Sequence, residues 1–413
     1  MKNFFTFLLC VILSLSIFCG CSFSPVEFIV DTALGSETTE NNTKIDATVV
    51  APATVDKSNK HLAYSTLNET QQNIYAVLLA AANDMVTGWI EMPSCSDNFE
   101  NDIMKAIYAL DDDRPEMFWI DTKHLIRSVK SGNKTVIYFA FEVKEENDSC
   151  SYLCTKSERD DMLKTLNNKV QELVTKTKDL NRFEAELYIN DYLCDNIVYD
   201  ESDKSLCYTS YGALINGKAV CSGYSKAAKL IFDKIGIENV LCHGKSRNES
   251  HVWNLVNLNN AWYHLDITWN DDDQNKFRTY KYFNTTINEI KKDHEIFPLH
   301  DINSGDDTEN KLYNYFNFDA QKTDLNYYTY YGLELLNDDY LPLAKAICED
   351  FAKNKKYTSF IVRDKTQLKG FESEAQESVS FLQNAIIHTR HPLFRKMQIR
   401  EYYVIDNIIL LKW

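Results

Sequence analysis

Apolar positions recur along the chain in two rhythms, one helical and one strand-like, and their order predicts an α+β body. Asn68-Glu69-Thr70-Gln71 leads into a stretch with Ile74, Val77, Leu78 and Ala81 on one helical face. A second helix is predicted through Asn98–Leu110, where Ile103, Ile107 and Leu110 make a buried stripe and Arg114-Pro115 ends the run. Phe118–Ile120 and Lys134–Val143 read as strands, the latter with alternating Val136, Tyr138, Ala140 and Glu142. The acidic Asp111–Asp113 run reads as a solvated loop. Asp160–Asp200 is helical in two parts, with Met162, Leu166, Val170 and Leu173 on one stripe and a second helix through Phe183–Tyr192. Beyond Phe277 the pattern is irregular. Asn303–Asn310 is a polar break, Leu341–Asn354 a helix, Tyr357–Arg363 a strand, Glu372–Ile386 a helix, and Glu401–Trp413 a strand or hairpin about Asp406-Asn407.

The most ordered stretch is Gly217–Trp269. Tyr224, Ala227, Ala228, Ile231 and Ile235 lie near one face of a helix that begins at Cys221 and stops at Gly236. His251–Leu258 and Ala261–Thr268 then flank Asn259-Asn260, a two-residue hairpin turn. With Leu258 opposite Ala261, Trp253 opposes Asp266 and His251 opposes Thr268. His251, Trp253 and Asp266 thus share one face, and His264 joins them as a rival partner or a structural residue. The acidic Asn270–Asn275 loop that follows reads as a solvated turn.

The two ends of the chain add a location. Met1–Gly20 has a basic start at Lys2 and an apolar run over Phe4–Phe18, too short to span a bilayer and suited to a signal peptide. It ends in Ile17-Phe18-Cys19-Gly20-Cys21, which resembles the lipobox of bacterial lipoproteins and marks Cys21 for lipidation. Two or more acyl chains on Cys21 would anchor the mature protein to the outer face of a membrane. Ser22–Lys60, rich in Thr, Asn, Ser, Ala and Pro, reads as a disordered spacer over 21–60. An N-terminal α/β region over 61–150, a central region over 151–290 and a separate C-terminal α+β unit over 300–413 complete the expected organisation.

Composition narrows the functional classes. The 413 residues carry a net charge of −16, which speaks against a nucleic-acid partner and against general attraction to anionic lipid. The chain has 11 cysteines, far too few for a disulfide scaffold once the signal and Cys21 are set aside. Cys150 and Cys154 could pair locally or stay buried thiols; no second Cys or His pair accompanies them, so no zinc site is predicted. The pattern calls for no cofactor and no metal.

What remains is thiol chemistry. A helix N-terminus favours a thiolate, and Cys221 stands there, with Gly217-Lys218-Ala219-Val220 as a flexible approach and Gly223 allowing close backbone packing. His251 would take the thiol proton and Asp266 would orient the imidazole. Backbone N–H groups at Cys221 could contribute to an oxyanion hole, and Tyr211 or Tyr208 could add a donor or simply pack in the core. Trp253, Trp262 and Trp269 read as packing about the site.

The blocks YGALINGKAVCSGYSKAAKLIFDKIGI, HVWNLVN and AWYHLDITWND closely resemble the transglutaminase-like superfamily, whose bacterial members show a GxxVCxGYxxA block, an HxWN strand and a WYxxDxTW strand in that order. The match runs over about Tyr188–Asp273 and leaves both flanks uncovered. It implies a papain-like α+β core, a catalytic helix packed on an antiparallel sheet, and a Cys–His–Asp triad at Cys221, His251 and Asp266. Three functions are then in view. The first is a cell-surface thiol hydrolase of peptide or amide bonds in proteins or cell-wall peptide. The second is a true cross-linking transglutaminase, and the third a non-catalytic surface binding or adhesion module.

Overall fold

The computed structural model describes residues 27–33, 45–56, 61–96, 98–121, 123–131, 134–144, 149–202, 206–272, 277–296, 320–353, 357–373, 377–390 and 399–412. Met1–Gly20, Cys21 and the Asn303–Asn310 break lie outside them. Among the described residues no helix is long and apolar enough to cross a membrane.

The N-terminal region builds a five-stranded sheet in the order β1-β4-β5-β3-β2. Its strands are β1 (Glu27–Ala33), β2 (Ala47–Thr48), β3 (Trp89–Glu91), β4 (Lys123–Ser131) and β5 (Lys134–Ala140). Here the spacer expectation is corrected. The short apolar run Phe28-Ile29-Val30 pairs in parallel along β4, and Ala47-Thr48 pair with β3, so part of 21–60 is structured. Helices α1 (Glu69–Asp84) and α2 (Phe99–Asp113) pack beside one another in this region. A reciprocal cap starts α1: Asn68 Oδ1 accepts from the Gln71 amide at 3.0 Å and Gln71 Oε1 accepts from the Asn68 amide at 3.1 Å. Phe118 and Trp119 form a turn, not a strand. Both are buried, and Trp119 Nε1 donates to the carbonyl of Ala82 at 2.9 Å, so tertiary burial explains their apolar character.

The acidic run also departs from expectation. Asp111–Asp113 end α2, and each carboxylate holds a different neighbour. Asp111 meets Lys226 Nζ at 2.7 Å and Asp112 meets His243 Nε2 at 2.8 Å. Asp113 accepts from the amides of Ala63 and Tyr64 at 3.1 and 2.8 Å. Burial pushes the Asp113 carboxyl up to about 8.

The central region starts with α3 (Lys156–Thr177) and α4 (Arg182–Asn196), opened by Thr155–Glu158 and Asn181–Glu184 capping boxes. Helix α5 (Cys221–Ile235) lies on a four-stranded antiparallel sheet of order β8-β7-β6-β9. These strands are β6 (Glu238–Ser246), β7 (Glu249–Leu258), β8 (Ala261–Leu265) and β9 (His294–Ile296). Gly236 ends α5 with φ +76°, where a side chain would be strained. Asn259 and Asn260 form the β7–β8 turn with φ +54° and +59°, a pairing suited to a tight hairpin. Val252, Val256, Leu258, Ala261, Tyr263 and Leu265 are buried among the residues packed on α5 and beneath it. The opposite face carries His251, Trp253 and Leu255.

The last region adds a four-stranded sheet of order β10-β11-β13-β12. It comprises β10 (Glu334–Leu335), β11 (Tyr357–Val362), β12 (Glu401–Ile405) and β13 (Ile408–Lys412), with helices α6 (Leu341–Ala352), α7 (Lys365–Glu372) and α8 (Glu377–His388). The helix expected over Glu372–Ile386 is α8, which begins at Glu377, and α7 precedes it. The region is not a separate core: Tyr327, Tyr328, Phe360 and Leu411 belong to the same buried cluster as Ile74, Phe183 and Ile231. The eight described cysteines form no disulfide with one another, so Cys150 and Cys154 are not paired.

Candidate functional site

The site grows from the first turn of α5. The chain enters through Lys218–Ala219, which pairs in parallel with Val198–Tyr199 and is therefore a short strand, not a flexible approach. Cys221 is buried against Leu241 and Val252, the latter next in sequence to His251. Two bonds fix this turn on β7: Ser225 Oγ donates to the Val252 carbonyl at 3.0 Å, and Asn254 Nδ2 donates to the Ser225 carbonyl at 3.1 Å. Gly223 is required by space. A Cβ there would lie 2.5 Å from the Cys207 carbonyl oxygen and 2.8 Å from the Ala219 Cβ. Helices α1 to α4 each have a side-chain cap at the N-terminus, but Val220 gives α5 none.

His251 and Asp266 meet on the other side of β7, with Nε2 to Oδ2 at 2.7 Å and both side chains buried. The route differs from the expected one in one respect. Strand β8 ends at Leu265, so Thr268 does not oppose His251, whose neighbour across the sheet is Gly244. Asp266 instead caps the short helix Ile267–Asn270, its Oδ1 accepting from the Trp269 amide at 3.1 Å. The cap turns the chain away while the carboxylate stays on the His251 face. Burial works to raise the Asp266 carboxyl, but the two histidines that touch it prevail and hold it down at about 2. An ionised carboxylate can only accept, so His251 donates through Nε2 and its Nδ1 is the nitrogen that can take a proton.

The sequence reading missed His294. It stands on β9, 28 residues after Asp266, and places its Nε2 3.0 Å from the same Oδ2. Lys291-Lys292-Asp293-His294-Glu295 looks like solvated charge, and only the pairing of β9 with β6 carries it inside. The ligating atoms of His251, Asp266 and His294 lie within 4.8 Å of one another, a spacing that could suit a metal. Both imidazole nitrogens, however, lie at hydrogen-bond distance from Oδ2, so the three groups already satisfy one another as a hydrogen-bonded set.

The neighbours shape the pocket. Trp253 lies nearly parallel to the His251 ring at 5.8 Å, and its Nε1 donates to His264 Nδ1 at 3.0 Å. His264 is buried, and burial pulls it down to about 3, so it is a neutral acceptor for Trp253 and not a member of the dyad. Trp269 approaches His251 edge-on at 6.0 Å, with the Arg247 guanidinium 4.1 Å above its ring. Trp262 packs on the same apolar cluster. Tyr211 packs its ring 4.8 Å from Phe118, and Tyr208 contributes its carbonyl, 3.4 Å from Ser222 Oγ. The expected Asn270–Asn275 turn is ordered in its first part: Asp271-Asp272 pair with Phe277-Arg278, and Asp271 accepts from Tyr224 Oη at 2.7 Å.

Residues 165–267, a span that contains Cys221, His251 and Asp266, match the family model of the transglutaminase-like superfamily. No curated protein matches the chain. Among solved structures, a TGase is similar at 15% identity and a TM-score of 0.25, over 39% of this chain and 54% of that one. A structure from Cytophaga hutchinsonii, assigned as a cysteine protease, is similar at 15% identity and a TM-score of 0.23, over 35% of this chain and 61% of that one. The chain thus spans less than two thirds of either.

Proposed function

We propose that this chain, an α+β protein with a transglutaminase-like core, is a thiol enzyme that hydrolyses peptide or amide bonds through a thioester on Cys221. The observation that carries the reading is the buried His251–Asp266 bond of 2.7 Å, with His251 next in sequence to Val252, against which Cys221 packs at the start of α5. In the forward step the Cys221 proton passes to His251 Nδ1 and the sulfur attacks the substrate carbonyl carbon. The C–N bond breaks, the imidazolium returns the proton to the leaving amine, and an acyl-thioester remains. Water then adds to the thioester, His251 takes its proton, the C–S bond breaks and the thiol is restored as the acid leaves. The first-turn amides of α5, to which Val220 gives no side-chain cap, are suited to the oxyanion.

The substrates are proteins or cell-wall peptides, and the protein works outside the cell, tethered through lipid on Cys21. Neither the N-terminal segment nor the substrate bears directly on the dyad, so each has its own test. Cys21→Ser should move the protein from the membrane fraction to the soluble one; unchanged membrane binding would refute the tether. Incubation with a glutamine-containing peptide and a labelled amine, followed by mass analysis of Cys221, should reveal an acyl-enzyme and ammonia release without amine incorporation. Amine incorporation would make the protein a cross-linker; no acyl adduct on any peptide or amide tried would favour a binding module.

A further inference from the structure

The Asp266 carboxylate has a second partner that the thioester mechanism does not use. His294 is fully buried and bonded at both ends: Nε2 to Asp266 Oδ2 at 3.0 Å and Nδ1 to Asp293 Oδ1 at 2.7 Å. Both carboxylates are held ionised. Asp266 stays at about 2, and Asp293, despite its burial, is driven well below the usual carboxylate range by His294, Tyr282 and Lys281. Ionised carboxylates have no proton to give, so the imidazole donates in both bonds and carries hydrogen on both nitrogens. We infer that His294 is a positioning residue held as an imidazolium, which fixes Asp266 against His251 and offsets part of its charge.

The surroundings support that state. Burial alone would lower the His294 pKa, but the two carboxylates more than reverse this and raise it. The other groups facing it are His251, His264 and Tyr282, whose ring is 5.3 Å away. Trp253 covers the ring at 5.1 Å. Lys281 reaches Asp293 at 3.1 Å and Tyr282 Oη donates to it at 2.6 Å, so the second carboxylate has its own cation and donor. Lys281 also meets Asp406 at 2.9 Å, at the tip of the β12–β13 hairpin. The bonded chain therefore runs from the dyad to the C-terminal sheet.

The consequence lies in His251. Its ring centre is 5.6 Å from that of His294. A fixed positive charge at that distance makes the His251 imidazolium more acidic, so it returns its proton to the leaving amine more readily. It also favours the thiolate of Cys221. Removing a unit charge at this separation, with an effective dielectric of about 20, should shift a titration by roughly two pH units.

This rests on the thioester reading for its kinetic arm but not for its spectroscopic one. His294→Gln keeps an N–H for Asp266 and loses the charge. Both limbs of its pH–rate profile should move up, by roughly one to two units. A fall in kcat with the limbs unmoved would overturn the charge role. Should the variant fail to fold, or the unaltered protein show no activity, histidine side-chain ¹⁵N spectra of the full wild-type chain decide. His294 should show both nitrogens protonated from pH 6 to pH 8, with His264 neutral throughout. A neutral His294 tautomer at pH 7 would overturn the inference.

Discussion

Asp266→Asn removes the charge on which the site converges while changing almost no volume. The amide has one oxygen and one NH2 group, but Asp266 accepts from three donors: the Trp269 amide, His251 and His294. If the amide oxygen keeps the Trp269 bond, its NH2 faces the two imidazoles. His251 must then present a lone pair at Nε2 and carry its proton on Nδ1, where the base is needed. Turnover should fall by about 10³–10⁴-fold through this wrong tautomer. Stability responds separately. The Asp266 carboxyl is held at about 2 against an ordinary 3.8, so its contribution is complete above about pH 4 and is lost as pH falls towards 2. That difference corresponds to about 2 kcal/mol. Urea unfolding of both proteins between pH 2.5 and 7 provides the assay. The wild type should lose stability more steeply over the acid range, and the variant should start lower at pH 7. Parallel acid profiles, or near-normal turnover, would refute the reasoning.

Other residues give independent checks. Burial raises the Glu186 carboxyl to about 8, with Asn284 Nδ2 donating to it at 2.7 Å; because the pKa is raised, its stabilisation is full below about pH 4.5 and lost as pH rises through 8. Glu186→Gln should flatten a decline of roughly 4 kcal/mol between pH 5 and 9, measured by denaturant unfolding; an unchanged slope would contradict a protonated Glu186. Gly223→Ala should cost about 1–3 kcal/mol in thermal unfolding and slow Cys221 alkylation, since its Cβ would press on the Cys207 carbonyl. Asp406→Asn breaks an ion pair whose carboxylate is 60% exposed, and should change stability by less than about 1 kcal/mol.

Much of the site was legible because its signals are local. Helix α5 declares itself by its apolar face and Gly236, and the Asn259-Asn260 turn fixes hairpin parity, which puts His251 and Asp266 on one face. Parity failed only past Leu265, where the Asp266 cap takes over from the strand. The misreadings share a cause. Asp111–Asp113 and His294 look solvated because their partners, Lys226, His243, Ala63, Tyr64 and Asp266, are far off in sequence and supplied by tertiary packing. Phe118-Trp119 looks like a strand for the converse reason: its apolar side chains are buried by helices, without a ladder. Strand β6, between β7 and β9 in the core sheet, was not singled out, and with it went the boundary that leaves β9 inside the sheet.

The central claim is that Cys221 is the nucleophile and His251 its base. The pH dependence of Cys221 alkylation by a small electrophile, read by peptide mass in the wild type and in His251→Ala, tests it most directly. Wild-type Cys221 should react well below the pH near 8.5 expected of a free thiol, and His251→Ala should move the reaction up towards that value. Reaction of Cys221 near pH 8.5 in both proteins would contradict it.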